Sequence, residues 1–244
     1  MGEFYALISA GGSPGVTTAA LALALAWPSP VIVAECDPSG GDVVAGLLAG
    51  HVHASQGLME HAIEVGRDGR AAGRSLASQL IPLDAERSRM VLPGLTDPRQ
   101  ASGLSSAWPA VAASLTAQEA DVIADCGRLD ASPGQPLAIL SAARIVAIVL
   151  RPTLRQVWSA RSRVDILTQL AGGSSRLALL VTGPGTHSAR EVANALRLPL
   201  AAVLPDDARS AALLSDGIGA QRTLASGGLL RSASAAGQAL REHI

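Results

Sequence analysis

The chain has 244 residues, 19 basic against 20 acidic, with 48% hydrophobic and 2% aromatic side chains. That length and apolar fraction suit one large domain, spanning 1–244, and exclude a disordered chain. A net charge of −1 excludes whole-surface attraction to nucleic acid, and since all 19 Lys+Arg positions are arginine, lysine chemistry is excluded altogether.

Short apolar runs alternate with helical patterns along the chain. Phe4–Ser9 reads as a strand, followed by a glycine-rich turn and an Ala/Leu helix over Val16–Trp27 that Pro28 and Pro30 stop. Further strands are expected at Pro30–Glu35, Arg89–Leu92, Asp121–Asp125, Arg144–Leu150, Arg176–Val181 and Leu200–Leu204. Residues 51–88 lack a regular pattern and read as peripheral helices. Between the fifth and sixth runs, Leu154, Val157, Val164 and Leu167 mark the expected inner face of a helix. A loop and a last helix follow from Ser226. The runs are continuously apolar rather than alternating, which is how strands covered on both faces read. The expected fold is therefore α/β, a three-layer α/β/α sandwich on a mostly parallel sheet of seven to eight strands.

Cys36 and Cys126 each end an apolar run beside an acid, which gives neither a disulfide framework nor a metal spacing. No apolar stretch reaches the roughly 18 residues of a membrane span, and the N-terminus lacks a leader pattern. A soluble cytoplasmic protein is expected.

In a doubly wound sheet ligands lie at the carboxyl ends of the strands, and four turns there carry information. The first, Ala10-Gly11-Gly12-Ser13-Pro14-Gly15-Val16-Thr17-Thr18, can curl backbone amides around an anion at a helix N-terminus, or be a plain strand-to-helix turn. The second, Glu35-Cys36-Asp37-Pro38-Ser39-Gly40-Gly41-Asp42, puts two acids at a strand end. Such a pair suits a metal-bound or attacking water; otherwise Ser39 or Asp42 caps a following helix. The third, Asp125-Cys126-Gly127-Arg128, offers a carboxylate and a nearby guanidinium; the Arg128 guanidinium alternatively forms a salt bridge with Asp130 or Asp125. The fourth, Leu204-Pro205-Asp206-Asp207, either starts a helix or wraps a base. His51, His53 and His61 lack ligand spacing and read as solvated positions. His187 reads as part of the turn before the helix of Arg190 and Glu191. The segment Leu229–Ile244 is expected to pack on the sheet; it is too poor in arginine and bulky apolar residues for a membrane surface.

In this order the four turns resemble the ParA/MinD group of deviant Walker ATPases, from about Tyr5 to Gly217. Within that group the chain looks most like divergent actinobacterial members, and less closely like the CpaE/TadZ proteins of the Tad pilus system. The resemblance implies a P-loop NTPase-like fold of the SIMIBI class, ATP or ADP with Mg²⁺, a homodimer, and a protein partner in a positioning or secretion system. It gives no strong nucleic-acid or membrane signal. By resemblance Thr17 ligates Mg²⁺, Asp37 orients the attacking water, Asp125 is the Walker B carboxylate, and Pro205 and Asp206 border the adenine. Arg151-Pro152 matches the family's turn after strand five.

The family loop reads K-G-G-x-G-K-T-T. Gly15, Thr17 and Thr18 match it, but Gly11 stands where the signature lysine belongs and Val16 replaces the second lysine. Pro14 also removes an N–H donor. Cations stabilise the equatorial oxygens in phosphoryl transfer, so their loss implies weak or absent hydrolysis. A scaffold with a degenerate site follows, nucleotide-responsive or without nucleotide at all. The alternative is a working, ATP-dependent dimerising ATPase in which Arg128 or Arg151 replaces the lysines.

Overall fold

The structure, a computed structural model, describes residues 1–48, 50, 56–67, 72–130, 134–217 and 227–242. His51 and His53 lie outside them.

The first strand, β1 (Phe4–Ser9), leads through the glycine loop into α1 (Val16–Leu25) and then β2 (Val31–Glu35). Next come α2 (Leu58–Arg67), α3 (Ala72–Gln79), β3 (Ile81–Pro82), β4 (Arg89–Leu92), α4 (Ala101–Leu104) and α5 (Trp108–Thr116). The second half holds β5 (Asp121–Arg128), α6 (Leu137–Ala142), β6 (Ile145–Leu150), α7 (Leu154–Ala171) and β7 (Leu177–Thr182). It ends with α8 (Ala189–Leu196), β8 (Leu200–Leu204), α9 (Ala208–Asp216) and α10 (Gly228–Glu242).

These strands form one eight-stranded sheet in the order β3-β4-β2-β5-β1-β6-β7-β8. Every pairing is parallel except β3 with β4. The expected sandwich is present. The seven expected strands form within a few residues of their expected bounds, because a parallel strand buried on both faces must be apolar throughout. The antiparallel β3 is an addition: two residues at the sheet edge, one a proline, leave no alternating pattern to read.

The pleat sends alternate residues of each strand to opposite faces. Phe4, Ala6 and Ile8 join one core with Leu58, Trp108, Ile139 and Leu167, under α2 to α8. Tyr5 and Leu7 join the other with α1, α9 and α10. Helix α1 is apolar around its circumference because the sheet, α9 and α10 enclose it. Leu229, Ala233, Ala236 and Leu240 seat α10 on the sheet as expected.

Three readings need correction. Leu154 is 68% exposed; Leu167 is buried as expected and Val157 and Val164 pack partly buried against the core, and Gln156, Ala160 and Ala171 complete the buried edge of α7. His61 is fully buried, with Nδ1 3.0 Å from Ser75 Oγ, rather than solvated. Neither Ser39 nor Asp42 caps a helix, since residues 43–48 turn without forming one.

Because β1 connects to β2 on one side of β5 and β5 to β6 on the other side of β1, the chain reverses direction around β1 and β5. The carboxyl ends of β1, β2 and β5 bound the crevice where such sheets bind ligands.

Candidate functional site

The glycine loop takes its shape from two residues in the left-handed region, Gly12 (φ 68°) and Gly15 (φ 92°). Gly15 precedes α1, whose N-terminus has no side-chain cap. The helix's first amides therefore lack a protein acceptor of the usual kind and carry the positive end of the dipole. They open onto a cavity of about 760 Å³. Gly12, Ser13, Pro14, Gly15, Val16, Thr17 and Thr18 line it, joined by Asp37 and Arg128.

Two groups of expected residues lie elsewhere. Gly11 is not in the lining; it faces α7, where an added Cβ would come within 2.5 Å of Ser159 Oγ. Arg151, Pro205 and Asp206 border a separate pocket of about 90 Å³, which shares Pro14, Gly15 and Thr18 with the main cavity. Asp207 caps α9 by accepting from Ser210 N (3.1 Å), so the helix-start reading of that turn holds for it.

The acids at the strand ends divide into two roles. Glu35 is buried and satisfied by backbone: Oε1 accepts from Asp42 N (2.9 Å) and Val43 N (3.1 Å), and Oε2 from Gly94 N (3.0 Å). Desolvation pushes it up to about 7, against the pull of those three donors. It fastens the loop after β2 and faces no ligand. Asp37 looks into the cavity, accepts from Ser39 N at 2.7 Å, and is raised above the usual carboxylate range chiefly by burial.

Asp37 also lies against the loop after β5. A Cβ on Gly127 would sit 2.0 Å from Asp37 Oδ2, and Gly127 has φ 61°. The residue after Cys126 must be glycine for both reasons. Asp125, behind it, is fully buried and accepts from the Thr17 hydroxyl and from Gly127 N (3.0 Å). Burial raises it to about 6, despite the Thr17 and Gly127 bonds. Cys36 and Cys126 are buried free thiols held far above the usual thiol range by desolvation, inert rather than reactive.

The cavity is acidic. Among the described residues its charged lining is Asp37, Asp42, Asp216 and Arg128, and Arg128 is already paired with Asp130 at 3.1 Å. The sequence up to Gly66 contains no arginine at all. Val16 is 6% exposed and packs into the α1 core.

Hard oxygen donors fit Mg²⁺: the Thr17 hydroxyl at the helix start, with the Asp125 carboxylate bonded to it and Asp37 across the cavity. No cluster of three or more His, Cys, Asp or Glu stands ready for a metal among the described residues. A P-loop cation does not need one, since phosphate oxygens and water complete its shell.

Sequence reasoning missed part of the lining. Ala45 and Gly46 come from the turn after β2, and Leu214 to Asp216 from the end of α9. The two pieces touch so closely that a Cβ on Gly46 would lie 1.9 Å from Ser215 O. It also missed Arg163, whose Nε donates to Leu129 O (3.1 Å) and whose Nη1 donates to Ser159 Oγ (3.0 Å). The one signal available was the arginine's presence on α7, with no sequence pattern linking it to the loop.

No protein-family model matches the chain, and no curated protein matches it in sequence. Solved structures do match. A ParA family ATPase from Chlorobium tepidum superposes with TM-score 0.76 at 15% identity, over 98% of this chain and 99% of that one. The septum site-determining protein MinD of Pyrococcus horikoshii, complexed with Mg-ADP, gives 0.72 at 16% identity over 99% and 97%. A plasmid partition protein of Borrelia burgdorferi bound to AMPPNP gives 0.71 at 11% identity over 100% and 99%. The glycine loop at the end of β1, the acidic turns after β2 and β5 and the end-to-end superpositions converge on one architecture: this chain has the fold of the ParA and MinD ATPases.

Proposed function

We propose that the whole chain, 1–244, acts as a ParA/MinD-like positioning or scaffold protein with a degenerate nucleotide site. In this reading Mg²⁺-bound ATP or ADP is held by backbone amides, and hydrolysis is weak or absent. The observation that carries it is the uncapped N-terminus of α1 opening, through two left-handed glycines, onto a cavity whose charged lining is three carboxylates and one arginine. The shape suits a phosphate chain; the charge does not, unless a cation comes with it.

The roles follow from position. Amides of Gly15 to Thr18 bind phosphate oxygens as dipoles. Thr17 would hold Mg²⁺, with Asp125 and Asp37 orienting its water shell, and the metal supplies the positive charge that the absent lysines do not. In this reading Asp37 orients a water, and the missing Cβ of Gly127 leaves room for that carboxylate against the β5 loop. Arg151, Pro205 and Asp206 border the base end. A homodimer meeting across the glycine loop and a protein partner complete the reading. The sequence resemblance alone supports a Tad-type pilus or secretion apparatus as cargo.

One observation favours a second reading. Arg128 lines the cavity and could supply transition-state charge once released from Asp130, as in a working ATPase. Equilibrium binding of ATP and ADP with and without Mg²⁺, followed by a phosphate-release assay, separates the two. Mg²⁺-dependent binding that Thr17→Ala weakens at least tenfold, with no turnover, is expected. Absence of binding at millimolar Mg-ATP would overturn both readings. Turnover abolished by Arg128→Ala and by Asp37→Ala would establish the second.

A further inference from the structure

Glycine is usually demanded by a backbone conformation, but Gly11 is not among the residues with positive φ. What it lacks is room. A Cβ there would stand 2.5 Å from Ser159 Oγ and 3.2 Å from Ser159 Cβ. The hydroxyl is not free to swing aside. It donates to Ala10 O at 2.7 Å and accepts from Arg163 Nη1 at 3.0 Å, while the same Nη1 donates to Ser159 O at 3.2 Å. One turn earlier, Gln156 Oε1 accepts from Arg151 N at 2.7 Å, and its Nε2 would be 3.2 Å from a Cβ on Gly12. The Gln156-Ser159-Arg163 edge of α7 thus backs the loop's first half and holds the carbonyl of Leu129 in the loop after β5.

We propose that Ser159 is a positioning residue of the glycine loop. It fixes the loop's entry through Ala10 and excludes every side chain from position 11, where related loops carry their signature lysine. The cation's place is closed by α7, not merely vacated. The substitution Gly11→Lys by itself would displace Ser159, free Ala10 and unseat Arg163 rather than return a charge to the site. The functional meaning rests on reading this loop as a lysine-free relative of the family's, but the packing can be measured without any nucleotide.

The experiment is a thermal double-mutant cycle on the full chain in nucleotide-free buffer: parent, Gly11→Ala, Ser159→Gly and the double variant. Gly66→Ala serves as control, at a helical glycine whose Cβ would meet nothing within 4 Å. Gly11→Ala is expected to lower the melting temperature by about 5 °C, the range for overpacking a tight contact in a chain of this size. In the Ser159→Gly background the same change is expected to cost less than about 1 °C, or to raise the melting point, since alanine restricts the unfolded chain. The control should not fall. Equal losses from Gly11→Ala in both backgrounds, or none in the parent, would overturn the proposal. If Gly11→Ala is insoluble, a soluble double variant supports the proposal and an equally insoluble one refutes it. Failure to bind nucleotide leaves this melting cycle unchanged, so the two readings fail separately.

Discussion

The two halves of the glycine loop are held in different ways. From Ala10 to Gly12 the backbone is pressed against α7: Ser159 and Gln156 fill the space that side chains at positions 11 and 12 would need, and Arg163 is bonded to Ser159. From Gly15 to Thr18 the amides face a cavity of about 760 Å³ and find no side-chain cap. The first half is built like a core contact and the second like a binding site. The difference teaches that the two positions where the resemblance sets a lysine have different surroundings. Val16 packs in the hydrophobic layer around α1, whereas Gly11 is closed off by a helix from the other half of the chain. Only the second half of the loop leaves amides open to a ligand.

The loop after β5, across the cavity from the open half, should give the largest effect. Gly127→Ala combines a left-handed backbone with a Cβ 2.0 Å from the Asp37 carboxylate. A loss on the order of 3 kcal/mol is expected, seen as a fall of about 10 °C in melting temperature. Asp37→Ala in the same chain should restore part of it, and a full loss in the double variant would show that the two loops do not lean on each other.

Asp125→Asn is expected to move stability the other way. The carboxyl is raised to about 6 in the folded state, so its contribution is fully present below the unfolded value and is lost as pH rises through 6. At pH 7.5 the buried charge therefore costs about 3 kcal/mol, and the amide should recover it while still bonding Thr17 and Gly127. Melting curves from pH 4.5 to 8 should show the variant's advantage growing with pH. A constant difference would place the ionisation elsewhere.

On the closed half, Arg163→Ala removes charged hydrogen bonds to Leu129 O and Ser159, and a loss of about 1–2 kcal/mol in urea unfolding is expected. A change below measurement would mean that α7 does not brace the loop. The smallest effect belongs to the outer face of the same helix. Trp158 is 72% exposed, and Trp158→Ala should change stability by less than about 0.5 kcal/mol. Since Trp27 and Trp108 are buried, the solvent-quenchable part of the tryptophan fluorescence should vanish with it.

The central strands were readable because burial on both faces forces an uninterrupted apolar run, as in Ile145–Leu150. The glycine loop and the acids at positions 37 and 125 could be singled out as candidates because ligands in this architecture lie at strand ends. Helix α7 was readable at Val157, Val164 and Leu167 but misled at Leu154, which is exposed along with Trp158 and Ile166, while Gln156 and two alanines pack inward. At those positions hydrophobicity and burial disagree. Glu35 misled differently: beside Asp37 it suggested a ligand, yet two backbone amides of the loop that follows it and one from the distant turn after β4 satisfy it.

The sequence by itself determined the succession of strands along the chain, the glycine-rich turn after the first of them and the absence of any lysine to place in it. Tertiary structure alone decided which glycine was there for conformation and which for space, which carboxylate faced the cavity, and that Asp42, Gly46 and Asp216 border it. Such facts depend on contacts between residues far apart in the chain, Gly11 with Ser159 and Gly46 with Ser215 among them. Local pattern records the period of a strand or helix; it carries no record of which distant atom occupies the space beside a missing side chain.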